Sequence, residues 1–587
     1  MAVCFLPPPG RTGRKELLTV AVLAKRDATL RPMVSIDSER CAGCSECVKE
    51  CPTGCLALGR HNLAVVRDAG ACVGCQQCQR TCPYRCITVK GPFLGLDDRA
   101  PDNLLPLPER LHGFAEVRRG FTPAEAVGEA SRCLLCPRPR CRDAGCPAKN
   151  DIPAMIAAIR QQDFLEALRV LAKTSNLHAV CSRVCDQASL CEGACVYQRE
   201  GGQAVAIGQL ERFVGDWARG KGYVRTEAAV AATGYRVAVV GSGPAGLSAA
   251  EDLTRRGHAV TVYETLPVAG GVMAWGISEF VLPLQLVEAK VAELRSLGVQ
   301  FRLGVRIGRD CPIERLFQEG ADVVFLSAGA EKDVVLDLPG KNLPGITTAT
   351  DFLAAAKLAP AYPQAYTMPV VGHNVLVVGM NNIALHVARG ARRLGAGNVT
   401  VVDPIAKKRA LVSPGELETA VTEGITLVFG VVVKAFVGRD KVEAAELGEN
   451  RRGWWEKLGF RLSQRGMFTV PADTVVFARG YRISQDVLEL VGNAGIETDA
   501  YGTVVVMEDN GRTNREKVWA AGDVVTGPKS VVGAMAAGKK AARHIDQVLR
   551  WRHLFAHEGG GSPPVLRSLR GGRKSPKLPV RPFREEP

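Results

Sequence analysis

Nowhere does the chain contain eighteen consecutive apolar residues, so no helix of it is expected to cross a membrane. The apolar run Leu17–Ala24, behind Arg11, Arg14 and Lys15, is short and lacks a small-residue cleavage site. A surface extension is expected there, and Met33 would serve equally well as a start. Nor does the composition look disordered. Hydrophobic residues make up 46% of 587, ordinary for a soluble globular protein, and the length allows about four domains. What is abundant is cysteine, with twenty residues. Most of these fall at spacings that require reduced thiolates, which excludes a disulfide framework and predicts a reducing cytoplasm.

From Cys41 the chain spells CxxCxxCxxxCP through Cys44, Cys47 and Cys51, and it repeats the pattern from Cys72 through Cys75, Cys78 and Cys82. This is the bacterial ferredoxin pattern for two [4Fe-4S] clusters. The proline after each fourth cysteine turns the chain away, so that this sulfur reaches the other cluster. One set is therefore Cys41, Cys44, Cys47 and Cys82, and the other is Cys72, Cys75, Cys78 and Cys51. Asp37 and Asp68, and Gly43 and Gly74, recur at the same offset, so the whole half-domain is duplicated. Structural zinc uses separated CxxC pairs and closes at four ligands, which fits this density of cysteines poorly. Cys55 and Cys86 exceed the eight ligands required and are expected to be small buried apolar residues, as are Cys4 and Cys311.

The formal charge of +15 invites a nucleic-acid partner. Each thiolate-bound cubane carries about −2, however, and four of them plus a flavin pyrophosphate would cancel more than half of the excess. No nucleic acid is expected. A basic zinc protein that binds nucleic acid is the reading from another class, and it predicts a colourless protein. The remaining positive charge lies partly in a Gly/Pro-rich tail containing Arg567, Arg570, Arg573, Lys574, Lys577, Arg581 and Arg584, expected to be a solvated or docking segment.

A Pro-rich stretch from Gly91 to Pro108 reads as a linker. Thr122 followed by Pro123 opens a mostly helical region, and Asp151–Lys173 has apolar residues at helical spacing. This region holds Cys133, Cys136, Cys141 and Cys146, then Cys181, Cys185, Cys191 and Cys195, which suggests two further cubanes. At Tyr235 the pattern becomes doubly wound α/β. The strand Arg236–Val240 leads into Gly241, Ser242, Gly243, Pro244, Ala245 and Gly246, and a second strand from Ala259 ends at Glu264. That is the dinucleotide fingerprint in its strand, turn, helix, strand setting, with an acid placed for a ribose. A degenerate second unit follows: the strand Asn374–Val378, Gly379, Asn381, Asn382, Ala384, and a strand ending at Asp403. Asn381 stands where a second glycine would let a pyrophosphate approach. Two such units suggest FAD plus a nicotinamide dinucleotide.

The stretch from Phe114 to Leu549 resembles the small (beta) subunit of glutamate synthase and its relatives, which include the N-terminal half of dihydropyrimidine dehydrogenase and the large subunit of NADH-dependent ferredoxin:NADP oxidoreductase. The likeness rests on Phe114–Phe121, Glu129–Cys136, Arg183–Cys185, Gly270–Ile277 and Gly522–Ala542. The resemblance implies one cluster on Cys133, Cys136, Cys141 and Cys195, and another on Cys146, Cys185, Cys191 and Glu211, with Cys181 spare. It also places Gly271, Gly522 and Asp523 at FAD, and the backbone from Ser530 near the isoalloxazine. Relatives that take NADPH follow the second strand with paired arginines, whereas this chain has Asp403 and Pro404, with Lys407, Lys408 and Arg409 downstream. NADH is therefore expected over NADPH. His386 replaces a usual aspartate, and Ser278 and Val281 replace a usual proline and arginine.

The expected architecture is an extension (1–32), a ferredoxin-like domain (33–92), a linker (93–110), a helical iron–sulfur domain (111–232), an FAD-binding Rossmann-like domain in two parts (233–368 and 479–550) around a NAD(P)-binding one (369–478), and a basic tail (551–587). The expected function is electron transfer between NAD(P)H, FAD, four [4Fe-4S] clusters and a redox partner, as a subunit of a hetero-oligomer, with no acid or base side chain needed for catalysis. The alternatives are a relay subunit whose second dinucleotide unit is only scaffold, or a glutamate synthase small subunit.

Overall fold

The structure, a computed structural model, describes residues 32–91, 99–100, 103–199, 202–223, 230–410, 412–449 and 467–556. The expected extension, the downstream part of the basic tail and much of the Pro-rich stretch lie outside these residues.

In the ferredoxin-like domain the two halves exchange backbone hydrogen bonds. Asp37 N donates to Cys86 O (2.8 Å) and Asp68 N donates to Cys55 O (3.2 Å), each crossing into the other half. The strand Met33–Ile36 pairs antiparallel with Ile87–Lys90, and Leu56–Leu58 pairs with Ala64–Val66. Asp37 Oδ1 accepts from Glu39 N and Arg40 N, and Asp68 Oδ1 accepts from Gly70 N and Ala71 N. Inside the first CxxC of each motif the chain then passes through a left-handed glycine, Gly43 (φ 69) or Gly74 (φ 74). The repeat therefore lies in the turn chemistry as well as in the cysteines.

The helical region opens on a complete capping box between Thr122 and Glu125, with Pro123 at the first helical position. The apolar run Asp151–Lys173 is two helices, Ile152–Arg160 and Phe164–Ala172. They separate at Gln162 (φ 59), and Asp163 caps the second by accepting from Glu166 N. The family-like Arg183 and Glu116 meet here. Arg183 donates to Glu116 Oε1 (2.8 Å) and to both oxygens of Asp216 (2.8 Å each), fastening the helix that ends at Cys185.

Two parallel five-stranded sheets follow. The first runs Val518–Ala520, Val323–Leu326, Arg236–Val240, Ala259–Glu264, Gln300–Leu303, so it is completed by a strand from late in the chain. The second runs Ile346–Thr348, Thr474–Phe477, Asn374–Val378, Asn398–Asp403, Ile425–Phe429. The chain passes between them at the antiparallel pair Lys332–Asp333 with Tyr481–Arg482. These pairings move the first boundary. Ile346–Thr348 already belongs to the second sheet, ahead of residue 369, because a short edge strand beside a loop carries too little apolar pattern to be seen. The expected linker also needs correction: within it Leu107–Leu111 is helical, and Arg110 reaches Glu423 of the second unit (3.8 Å).

Candidate redox cofactor sites

In the ferredoxin-like domain burial pushes the Cys47 thiol up, and the charges that push it further belong to Cys82, Cys41 and Cys44. Cys78 is pushed up to about 12 by burial and then by Cys75, Cys51 and Cys72. Each thiol thus faces the members of one crossed set. In the helical domain Cys136, raised by burial, faces Cys133, Cys141 and Cys195. Cys146 and Cys191, also raised by burial, face Cys185 and Glu211. Cys181 lies against Cys185 and outside that group. Unpaired buried thiolates would repel one another, so each group needs positive charge at its centre.

Glu211 makes the same point more sharply. It stands on the helix Ile207–Gly220, and although the residue is only partly buried, its Oε1 is sealed from water with no hydrogen-bond partner. Burial alone raises its carboxyl to about 8. A buried oxygen facing three thiols without a donor is unusual in a folded protein, and it fits a ligand position. Among the described residues no group of three or more His, Cys, Asp or Glu side chains is set for a single metal ion.

The first dinucleotide unit forms an open cradle. A Cβ on Gly241 would lie 2.4 Å from Ser327 O, one on Gly246 would lie 2.0 Å from Gly241 O, and one on Gly271 would lie 2.7 Å from Gly243 Cα. Gly243 itself faces open space at the start of the helix Pro244–Thr254, where the first amides are free for a pyrophosphate. Glu264 accepts from Ser242 N (3.0 Å) and Leu266 N (2.9 Å). The same cavity is lined by Gly522, Asp523 and Ser530, and burial raises Asp523 to about 6. The long helix from Val531 crosses the fingerprint helix at Gly538, where a Cβ would sit 2.2 Å from Ala245 O. The donor set and the space fit an FAD.

The second unit repeats this frame. Asp403 Oδ1 accepts from Ile405 N (2.9 Å), as Glu264 does from Leu266 N, and its carboxyl, raised by burial, also meets the Met380 N–H, the counterpart of Ser242 N. The difference is Asn381. Its Oδ1 accepts from Ala384 N (3.0 Å) and its Nδ2 donates to Ala478 O (2.8 Å), so the side chain caps the helix Asn382–Arg393 and takes up one of its first amides. Lys407 and Arg409 sit on a one-turn helix beyond the strand end and are exposed.

Several side chains whose partners the sequence did not reveal join the two units. Lys357 Nζ donates to the carbonyls of Met273 (2.9 Å), Ile277 (2.8 Å) and Leu282 (2.7 Å), pinning the Gly270–Ile277 segment. Burial lowers this amine to about 7. The unusual Ser278 and His386 are partners: Ser278 N donates to His386 Nδ1 (3.3 Å), and burial brings the imidazole down to about 3, so it accepts as a neutral ring. Phe280 lies under the guanidinium groups of Arg389 (4.8 Å) and Arg393 (4.1 Å), both paired with Glu423. No local pattern marks these residues, since the partners are far apart in the chain.

One cleft is lined by Cys185, by Lys529, Ser530 and Val531, and by Asn382 and His386. A second helical-domain face meets the ferredoxin-like domain: Val73, Cys75 and Val196 pack together with Leu134, and Arg140 Nη1 donates to Glu50 Oε2 (2.6 Å). Among the described cysteines Cys44 alone is exposed.

Residues 33–83 match the family model of the 4Fe-4S dicluster domain, residues 110–223 that of dihydropyrimidine dehydrogenase domain II, 4Fe-4S cluster, and residues 235–538 that of pyridine nucleotide-disulphide oxidoreductase. The chain is 35% identical to the glutamate synthase [NADPH] small chain of Halomonas elongata, over 75% of this chain and 94% of that one. It is 31% identical to the putative oxidoreductase UacF of Escherichia coli (88% and 82% covered), and 32% identical to the NAD-dependent dihydropyrimidine dehydrogenase subunit PreT of Escherichia coli O157:H7 (74% and 97% covered). No helix among the described residues is long and apolar enough to cross a membrane. Matched over most of its length by these relatives and by all three models, the chain belongs to the glutamate synthase small-chain family of FAD- and [4Fe-4S]-dependent NAD(P)H oxidoreductases, with a dicluster ferredoxin domain at its N-terminal side.

Proposed function

We propose that this chain is the subunit through which electrons pass between a nicotinamide dinucleotide and a larger redox partner. The cleft shared by Cys185, Ser530 and Asn382 carries the reading, because it brings one ligand set, the flavin cradle and the second dinucleotide unit onto the same space. Bound FAD would exchange a hydride with the nicotinamide and release single electrons to the clusters. Gly241, Gly243 and Gly246, with Pro244 and Ala245 at the helix start, would hold its pyrophosphate, and Ser242, Glu264, Gly271, Gly522 and Asp523 would line its binding site. The proposed ligand sets then run outward from Cys146, Cys185, Cys191 and Glu211 to Cys133, Cys136, Cys141 and Cys195. The row continues to Cys72, Cys75, Cys78 and Cys51, and ends at Cys41, Cys44, Cys47 and Cys82. The exposure of Cys44 makes the last set the exit. Two relatives are named as a small chain and as a subunit, which supports a hetero-oligomer. Sixteen ligand positions that require reduced thiolates or a free carboxylate support a cytoplasmic setting.

Gly379, Asn381, Asn382 and Asp403 would meet the dinucleotide. Relatives are named for NADPH and for NAD, so the choice rests on this chain's own Asp403, whose carboxylate favours a ribose bearing hydroxyls over a 2′-phosphate. The reading in which the second unit is only scaffold draws on one observation, the capping of the helix start by Asn381. Removing residues up to 92 tests the proposal. Flavin reduction by dinucleotide should persist while reduction of the co-purified partner is lost. Surviving partner reduction would place the exit elsewhere, and a flavin that neither dinucleotide reduces would favour the scaffold reading.

A further inference from the structure

Cys55 and Cys86 are the surplus cysteines of the ferredoxin-like domain, and the structure gives them more than an apolar role. Cys55 Sγ lies 3.4 Å from Cys51 Sγ, and the Cys51 thiol, followed by that of Cys72, pushes the Cys55 thiol up. Cys86 Sγ lies 3.3 Å from Cys82 Sγ, and burial, then Cys82 and the nearby Cys41, push its thiol up. Under the crossed sets, Cys51 and Cys72 belong to one cluster, and Cys82 and Cys41 belong to the other. Each surplus thiol therefore sits between two ligands of a single cluster, one ligand from each half of the repeat.

The backbone holds both thiols in place by the same device. Cys55 O accepts from Arg67 N (2.8 Å) and Asp68 N (3.2 Å), and Cys86 O accepts from Asp37 N (2.8 Å). These are the bonds that join the two half-domains. Both residues are buried, 2% and 5% exposed, so no water competes for the S–H. Three residues separate each from the last cysteine of its motif, so the arrangement is duplicated with the fold.

We propose that Cys55 and Cys86 are non-ligating thiols that donate S–H···S hydrogen bonds to the ligand sulfurs of one cluster each and thereby raise its reduction potential. The inference rests on the crossed two-cluster reading. Reduction adds one electron to the cluster, and its sulfurs become more negative while the thiol keeps its proton. A donor aimed at these sulfurs stabilises the reduced form more than the oxidised one, since hydrogen bonds to a more charged acceptor are stronger. A thiol carries one proton, so it serves its two neighbours by sharing or alternating between them.

The test uses the whole chain, purified anaerobically, with each cluster's midpoint followed by EPR during redox titration. Cys55→Ala should keep its iron and shift to lower potential only the cluster identified by loss of its signal in Cys75→Ser. Cys86→Ala should do the same only for the cluster lost in Cys44→Ser. Cys55→Ser and Cys86→Ser, which keep a donor, should recover part of the shift. Unchanged midpoints, or a shift in the opposite cluster, would overturn the assignment. Loss of about four iron atoms from either alanine variant would overturn it too, by making that residue a ligand. A parent protein without the two ferredoxin signals would overturn the underlying reading as well.

Discussion

Replacing Glu423 with Ala should loosen the second dinucleotide unit from the flavin domain. Glu423 is 1% exposed and receives four N–H groups: Arg389 Nε (3.0 Å) and Nη2 (2.9 Å), and Arg393 Nη1 (2.8 Å) and Nη2 (3.3 Å). Burial raises its carboxyl, but the two guanidinium groups outweigh burial and hold it below the usual range. Removing it leaves two cations facing the ring of Phe280 and a third, Arg110, which lay 3.8 Å from the carboxylate, with Glu416 (3.3 Å from Arg389) as a remaining counter-charge. Breaking a buried pair from one side costs about 3–5 kcal/mol. The ring offsets about 1–2 kcal/mol at most, and the parent already has that contribution, so a loss of about 4 kcal/mol is expected. Because the folded pKa is depressed, this stabilisation is present above the ordinary glutamate value of about 4.3 and is lost as pH falls through the lower folded value. Urea unfolding of parent and variant at pH 7 and at decreasing pH should show a large gap that narrows on the acid side. Dinucleotide-driven flavin reduction should slow in parallel, as the guanidinium groups against Phe280 lose the anion that fixes them. A loss below about 1 kcal/mol at pH 7, or a gap that widens with acid, would refute the reasoning.

Glu211→Ala should lower the iron content by about four atoms per chain, whereas Glu211→Gln, which keeps an oxygen at the same position, should retain it; equal iron in parent and Glu211→Ala would rule out ligation. Asn381→Gly should tighten dinucleotide binding by freeing the helix amides, while the lost cap costs only about a few tenths of a kcal/mol of stability, and titration calorimetry with thermal unfolding checks both effects. Stopped-flow flavin reduction should be faster with NADH than with NADPH, and the reverse order would refute the role given to Asp403.

The candidate sites that lie in short strings could be named from the sequence. The CxxC runs, the glycines from Gly241 to Gly246 and the acids Glu264 and Asp403 act through backbone geometry close to themselves, so spacing reveals them. The recurrence of Gly43 and Gly74 showed in the repeat, and the structure adds their left-handed conformation. Long-range pairings did not show. Val518–Ala520 completes the first sheet and Ile346–Thr348 opens the second, and three-residue strands have no period to detect. Glu423 and Lys357 were invisible, and His386 was seen only as a departure without its partner Ser278, for a similar reason: a buried polar residue declares itself only through partners that the fold brings to it. Cys55 and Cys86 were expected to be buried and are, but their close approach to the sulfurs of Cys51 and Cys82 did not show, because it depends on side-chain packing.

The central claim is that one chain holds one flavin and four clusters in a row. Anaerobic analysis of the purified full-length chain for iron, sulfide and flavin tests it most directly. The account predicts about sixteen iron atoms with equal sulfide and one FAD per chain. Eight iron atoms or fewer, or no FAD, would contradict it.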